Sequence, residues 1–228
     1  GVMLSSAAKE YMKVYGVLVG KKPLIFTNND SGYETAIEFK KNGINPLILD
    51  TRKEPSSDII SEAKNLGIEI KFSHVVVAAK GYKKVKSADI AKISDNKKDL
   101  SNIENIECDC ICVSGFWTPS IHLASQSGNK SEFNEKIDAF IPKKSKQKEN
   151  TIGSANGKFS LEETINEAFD KGYEVSNKIT ENNNKVSIPT VVEKKSTEHD
   201  KFWCVPLPKG KSYKRFLDFQ NDVAVTDI

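Results

Sequence analysis

Short apolar runs alternate along this chain with longer amphipathic stretches. The apolar runs at 24–27, 46–50 and 108–113 are bounded by turn-forming residues, which is typical of buried strands. The stretches at 33–41 and 57–65 repeat their apolar positions at helical spacing, and a glycine follows each one. A strand, a helix and a strand in close succession need a crossover connection and therefore favour a parallel sheet.

The rest of the pattern adds smaller elements to this sheet. Residues 75–93 alternate like the strands of a hairpin and predict a small antiparallel insert, followed by a polar connection at 96–104. Helices are predicted at 5–15 and, from a Ser-x-x-Glu capping box, at 160–179. We therefore predict an α/β fold, with a Rossmann-like, mainly parallel sheet flanked by helices and a small antiparallel insert.

Composition limits the class of protein. The 228 residues include 34 basic and 31 acidic ones, for a net charge of only +3, so no broad surface for nucleic acid or anionic lipid is visible. No apolar run is long enough to cross a bilayer, and the first residues lack the layout of a signal peptide. Three of the four cysteines cluster in 108–112, unlike a spaced disulfide framework. We expect a soluble, cytoplasmic protein with reduced thiols and neither nucleic-acid nor membrane partners.

The turn after the first strand is the first candidate site. It reads Asn28, Asn29, Asp30, Ser31 and Gly32, and in dinucleotide-binding folds the amides of such a turn hold a diphosphate. Only one glycine stands where that fingerprint has three, and Asp30 brings a negative charge to the phosphate position. The alternative is a structural turn in which Asp30 or Ser31 caps the helix.

Further candidates follow two later strands. Asp50 ends the second strand about 20 residues after the turn, where an acidic residue accepts the ribose hydroxyls of NAD. Arg52 would instead suit a 2′-phosphate, and Asp50 is equally readable as a cap of the next helix. Gly115 leaves a central strand at its carboxyl end, and Trp117 is either a cover for a cofactor ring or a hydrophobic plug.

The cysteine and histidine residues do not predict a metal site. Cys108, Cys110 and Cys112 share one face of a strand, but a flat strand cannot wrap three sulfurs around a metal. We read them as inert buried thiols. The histidines are scattered without ligand spacing, the lysine-rich run at 143–148 reads as a solvated loop, and no catalytic residue is predicted.

Several short motifs resemble the middle of the alpha subunit of heterotetrameric sarcosine oxidase. They are Tyr15-Gly16-Val17, Phe26-Thr27-Asn28-Asn29-Asp30-Ser31, Val113-Ser114-Gly115 with Trp117 and Pro119, His122-Leu123, Ser125-Gln126-Ser127-Gly128, Ala155-Asn156-Gly157 and Asp218-Phe219-Gln220-Asn221-Asp222-Val223. The resemblance runs nearly the whole length of the chain. It implies an oxidoreductase of the pyridine nucleotide-disulfide type, joined to a folate-binding half that is similar to an aminomethyltransferase.

The resemblance implies an activity, cofactors and partners. Such an enzyme oxidises sarcosine, its small-molecule amine substrate, with oxygen to glycine and hydrogen peroxide, and delivers the methyl carbon to tetrahydrofolate as co-substrate. NAD would belong to the alpha subunit and FAD and FMN to the complete complex, with beta, gamma and delta subunits as partners. The isolated chain is expected to be inactive. The alternative is a degenerate Rossmann scaffold without nucleotide binding, which the missing glycines and Asp30 favour, whereas Asp50 favours NAD.

The resemblance also implies domain bounds. Residues 1–22 would be a lead-in helix from a preceding domain, 23–141 an NAD(P)-binding-like domain, 142–182 a returning segment of an outer dinucleotide-binding domain, and 183–228 a linker toward the folate-binding half. The chain would thus be an excerpt, with the main glycine-rich fingerprint outside it.

Two further site residues are carried by the resemblance alone. Asn156 and Gly157 match the place where related reductases carry Gly-Asp beside a cofactor ribityl or ribose group. Asparagine keeps the hydrogen-bonding capacity of that aspartate without its charge. Phe116 and Thr118 depart from the glycine and asparagine usual in the family.

Overall fold

A computed structural model of the chain describes residues 1–143, 145, 147–180, 187–192, 200–210, 215–218 and 221–227. Contacts divide the chain into a first unit, residues 1–116 with 196–228, and a second unit, residues 117–195. These units divide the chain elsewhere than the bounds predicted at 22, 141 and 182, and the assignment of those segments to domains of a longer protein stays a prediction. Parts of the predicted linker 183–228, of the lysine-rich run and of the motif at 218–223 lie outside the described residues.

The first unit is built on a five-stranded parallel sheet. Its elements are β1 (Val2–Leu4), α1 (Ser5–Tyr15), β2 (Pro23–Thr27), α2 (Ser31–Lys41), β3 (Leu47–Asp50), α3 (Asp58–Asn65), β4 (Glu69–Phe72), β5 (His74–Gly81), β6 (Val85–Ile93), β7 (Leu100–Glu107) and β8 (Cys110–Ser114). The sheet has the strand order β1-β8-β2-β3-β4, and every neighbouring pair is parallel. The predicted α/β fold with a mainly parallel, helix-flanked sheet is confirmed.

Two apolar layers cover this sheet. On one face Ile25 and Ile48 pack with Tyr33 and Phe39 of α2, and all four side chains are buried. On the other face Leu24 of β2 belongs to a cluster with Leu49, Ile111, Ala88 and Ile90, the last two from β6. The antiparallel sheet β5-β6-β7 therefore takes the place that helices occupy on the first face.

Two parts of the first unit were not predicted from the sequence. The polar connection predicted at 96–104 is wrong, because β7 begins at Leu100 and pairs with β6, with Ala88 opposite Ile106. The strand β1 adds an edge to the parallel sheet, and α1 after it buries Ala8 and Met12 in the helical layer.

The second unit is smaller and has little buried surface. Its elements are α4 (His122–Gln126), the antiparallel hairpin β9 (Ser131–Asn134) and β10 (Ala139–Pro142), a 3-10 helix (Gly153–Asn156) and α5 (Leu161–Thr180). The helix predicted at 160–179 is confirmed, although none of the residues of α5 is buried. Later in the chain, β11 (Phe216–Asp218) and β12 (Val223–Ala224) pair antiparallel in the first unit. None of the described helices is both long and apolar enough to span a bilayer.

Candidate functional site

The carboxyl edge of the parallel sheet contains a crevice between the ends of β2 and β8. From β2 the chain runs outward to β3 and β4, and it later returns to place β8 on the other side of β2. Ligands of open α/β sheets bind at such a reversal of strand order. The predicted residues 28–32 follow β2 here, and Gly115 follows β8.

Hydrogen bonds join the two sides of this crevice. The Asn28 amide donates to the Ser114 carbonyl at 3.3 Å, and the Asn29 side-chain amide donates to the carbonyls of Ser114 and Gly115. The hydroxyls of Ser31 and Ser114 are 2.6 Å apart. The turn after β2 is therefore tied to the chain that leaves β8.

Two of the amides expected to hold a phosphate, those of Asn29 and Ser31, are bonded within the turn. The Ser31 amide donates to Asn29 Oδ1 at 2.9 Å, and the Asn29 amide donates to Thr27 Oγ1 at 3.2 Å. The Thr27 hydroxyl in turn donates to the Asn29 carbonyl at 2.8 Å. Asp30 holds the N-cap position of α2, one of the two caps named from the sequence, but it makes no side-chain capping hydrogen bond, and the side chain of Asn29 accepts the first helical amide instead.

Beneath the turn, Arg52 joins two predicted site residues. Its guanidinium contacts Asp30 Oδ1 at 2.8 Å through Nη1 and Asp50 Oδ2 at 2.8 Å through Nη2. Its Nε adds a contact of 3.0 Å to Asp50 Oδ1, and the Tyr33 hydroxyl donates to Asp50 Oδ2 at 2.7 Å. Asp50 and Tyr33 are fully buried and only 8% of Arg52 is exposed, so these four residues form a buried polar cluster.

Burial and neighbouring charges shift the pKa values of Tyr33 and Arg52 in the buried polar cluster. Burial raises the pKa of the Tyr33 phenol above its ordinary range, and the Asp50 carboxylate adds to the effect. Burial alone would lower the pKa of Arg52. The hydrogen bonds to Asp50 and Asp30, together with their charges, outweigh burial and raise that pKa above its ordinary value. The arginine therefore stays charged and the tyrosine stays neutral.

In this arrangement the cluster does not fit an adenine dinucleotide. Both oxygens of Asp50 are bonded to Arg52 or Tyr33, so accepting ribose hydroxyls requires Asp50 to exchange partners. Arg52 already donates from Nε, Nη1 and Nη2 to Asp50 and Asp30, so these donors would have to exchange partners to meet a 2′-phosphate. The sequence placed these residues at the carboxyl edge of the sheet but did not reveal that they contact one another.

A covering segment, residues 200–205, lies over the ends of β2 and β3. Asp200 exchanges hydrogen bonds with Asn28, from its amide to the Asn28 carbonyl at 2.9 Å and from Asn28 Nδ2 to its own carbonyl at 2.8 Å. A groove of about 200 Å³ lies between residues 202–205 of this segment and the crevice, where Gly115 is part of its wall. A polar cavity of about 410 Å³ extends past Asp200 toward Lys53 and Lys97.

The remaining predicted residues belong to the second unit. The ring of Trp117, which is 51% exposed, lies 6.3 Å from that of Phe159. Asn156 Nδ2 donates to Glu167 Oε1 at 2.8 Å, and Gly157 has a φ of 78°, which favours glycine. Glu167 also accepts from the Gly153 amide at 2.7 Å and was missed in the sequence, because nothing in an amphipathic helix distinguishes one glutamate from another.

The three neighbouring cysteines of the first unit are buried free thiols. Cys110 and Cys112 lie with their sulfurs 3.6 Å apart, and their hydrogen bond raises the pKa of Cys112 and lowers that of Cys110. Burial raises the pKa of Cys108 from 9.0 to about 11. Among the described residues no group of histidine, cysteine or carboxylate side chains is placed to hold a metal ion.

Comparison with known proteins finds distant relatives that share one name. No family model matches the chain. The whole chain is 27% identical over 230 residues to sarcosine oxidase subunit alpha of Rhizobium meliloti (strain 1021) and covers 22% of that protein. It is also 24% identical over 234 residues to sarcosine oxidase subunit alpha of Corynebacterium sp. (strain P-1), of which it covers 24%.

A solved structure supports the fold alone. Thioredoxin reductase from T. acidophilum aligns with a TM-score of 0.51 and 15% identity, over 72% of this chain and 52% of that one. The chain spans about a quarter of the length of the curated relatives it matches. The resemblance predicted from the motifs is confirmed: the chain is a partial and distant match, over its whole length, to the alpha subunit of sarcosine oxidase.

Proposed function

We propose that this chain is the nucleotide-domain portion of the alpha subunit of a sarcosine oxidase-type oxidoreductase. The intact enzyme would convert sarcosine, oxygen and tetrahydrofolate into glycine, hydrogen peroxide and methylene-tetrahydrofolate. The observation that carries this proposal is similarity at 24–27% identity from one end of the chain to the other, combined with the confirmed fold. The alpha-subunit name of the relatives supports a multi-subunit enzyme, with beta, gamma and delta subunits as the proposed partners.

The activity is tested on the complete enzyme that contains this chain. We expect oxygen uptake that depends on sarcosine and forms one hydrogen peroxide per glycine. Glycine, which lacks the N-methyl group, is the control substrate and should consume no oxygen. A flavin-loaded complex that is inert with sarcosine and with other N-methyl amino acids would contradict the proposal.

Within that enzyme, the geometry favours a scaffold role for this portion. The buried polar cluster of Asp30, Tyr33, Asp50 and Arg52 satisfies internally the charges that a dinucleotide would otherwise meet. The turn amides at Asn29 and Ser31 are likewise bonded within the chain. FAD, FMN and tetrahydrofolate would then be held by other parts of the complex, with this unit as a rigid support.

A NAD site in the crevice is the second candidate. It is favoured by the groove beside Gly115, which lies at the reversal of strand order where such folds take ligands. The outer residues Trp117, Asn156 and Gly157 stay predicted cofactor contacts of the second unit.

Calorimetric titration of the full chain with NAD and NADP separates the two candidates. Gly115→Trp is a suitable blocking variant, because Gly115 lines the groove and nothing lies within 4 Å of a Cβ built there, so a bulky side chain can be added without a clash. Binding heat in the wild type that this variant abolishes would support the NAD site. Absence of heat with either nucleotide would support the scaffold.

A further inference from the structure

The covering segment pairs with the chain at the point where β2 ends. The two hydrogen bonds between Asp200 and Asn28 join residues 172 positions apart. They use both the carbonyl and the side-chain amide of Asn28, which would otherwise be open at the crevice. The segment therefore takes polar contacts that a ligand at this edge would use.

Asp200 also brings a carboxylate to the end of β3. Its Oδ2 accepts from the Thr51 hydroxyl at 3.0 Å, and its Oδ1 is ion-paired with Lys97 Nζ. The side chain of Asp200 is only 15% exposed. A hydroxyl and an ammonium group are donors that a phosphate oxygen also accepts from. The carboxylate thus lies where an anionic ligand would find its donors.

Two residues further on, the covering segment adds an aromatic ring. Phe202 and Val205 pack against the buried cluster of Val75, Ala91 and Ile93. Phe26 of β2 packs against the same cluster. The covering segment therefore carries an anion and a ring. A nucleotide presents the same two features, as its charged phosphate and its flat apolar base.

We propose that the covering segment is an internal occupant of the crevice, so that the segment and an adenine nucleotide exclude each other. The proposal deepens the NAD candidate described above. In one state of this unit the covering segment closes the crevice and is anchored by the contacts of Asp200. In the other state the segment has left the crevice, which is then open to a nucleotide. A nucleotide that takes the anion and ring positions does not need Asp50, so the buried polar cluster can stay intact in both states.

The test compares ADP and NAD binding to the full chain by calorimetry in wild type and Asp200→Ala. When a closed state is favoured, the apparent affinity falls in proportion to the open fraction, so we expect Asp200→Ala to bind ADP about tenfold or more tightly than wild type. Hydrogen exchange at the amide of residue 200, which is bonded to Asn28 in the closed state, should become correspondingly faster.

Asp95→Ala is the matched control. Asp95 lines the polar cavity that Asp200 also lines. It pairs with Lys53 at 3.1 Å but does not hold the covering segment. Its loss should change ADP affinity by less than about twofold, since surface pairs contribute little. Thr51→Val, which removes the hydroxyl donor to Asp200 with little change of shape, serves if Asp200→Ala fails to fold.

Each outcome decides the proposal. Tighter ADP binding together with faster exchange at residue 200 supports it. Faster exchange without tighter binding overturns it and identifies the covering segment as a permanent structural element. Unchanged exchange also overturns it, because Asp200 would then not be the anchor. Sarcosine-dependent oxygen uptake by the complete enzyme is a separate measurement, and it tests the proposed function whichever of these results is obtained.

Discussion

At the scale of single residues, Arg52 supplies the positive charge of the buried polar cluster. It compensates two buried carboxylates, those of Asp30 and Asp50, and contacts each at 2.8 Å. The sequence predicted all three as site residues from their positions at strand ends. It could not reveal their mutual contacts, because Asp30 and Arg52 are 22 positions apart and meet only through the register of β2 and β3.

Replacing Arg52 with methionine is expected to destabilise the protein by about 3–5 kcal/mol, because two buried carboxylates lose their counter-charge. Lys53→Met is the neighbouring control. Its ion pair with Asp95 has side chains that are 77% and 78% exposed, so its loss should cost less than about 1 kcal/mol. The measurement is the free energy of urea unfolding, and equal losses for the two variants would contradict a structural role for the buried polar cluster.

The thiols provide a second test at this scale. Three are almost wholly buried, with Cys108 at 3%, Cys110 at 1% and Cys112 fully covered, whereas Cys204 is exposed. Because the pKa of Cys108 is raised to about 11, its thiol is also protonated and unreactive at pH 8. We expect iodoacetamide to label Cys204 alone in the native chain and all four after unfolding, as read by peptide mass spectrometry. Native labelling within 108–112 would show that β8 or the residues just before it are accessible.

At the scale of elements, agreement with the sequence depended on how much of each element is buried. Strands β2 and β3 and helix α2 have strong apolar patterns and were predicted close to their observed bounds. Strand β7 was missed because it lies at a sheet edge with most of its residues exposed, so it lacks an apolar pattern and is specified by pairing with β6. The hairpin β9–β10 was also missed, because no residue of β9 is buried and only two of the four in β10 are.

Two helical glycines should respond in opposite directions to alanine. A Cβ at Gly32 in α2 would lie 2.6 Å from Thr27 Cβ, and the bonded Thr27 hydroxyl cannot turn away, so Gly32→Ala should cost about 1–3 kcal/mol. Gly172 in α5 has nothing within 4 Å of such a Cβ, and Gly172→Ala should stabilise its helix by about 1 kcal/mol. Urea unfolding of both variants checks the signs, and a stabilising Gly32→Ala would contradict the close contact.

At the scale of the whole molecule, the two units differ in how they are held together. The first unit has apolar layers on both faces of its parallel sheet. The second unit has a 20-residue helix, α5, without a single buried residue. Since burial of apolar surface is the main source of stability, the two units should not be equally stable.

We expect the second unit to open first when urea is added. Hydrogen exchange followed by mass spectrometry should show α5 losing protection at lower urea than β2, β3 and β8. Gly172→Ala should raise the midpoint of α5 alone, because that residue lies in the second unit only. A single midpoint shared by α5 and the sheet strands would mean that the units unfold as one.

The chain leaves the first unit after Phe116 and returns to it at residue 196, so the second unit is inserted between two parts of the first. The entropy lost in closing such an excursion rises only with the logarithm of its length, by about 0.6 kcal/mol per doubling. In evolution or in the laboratory, the inserted unit can therefore be lengthened, shortened or replaced by another module with little loss of stability in the first unit, as long as Asp200 still reaches Asn28 where the chain returns.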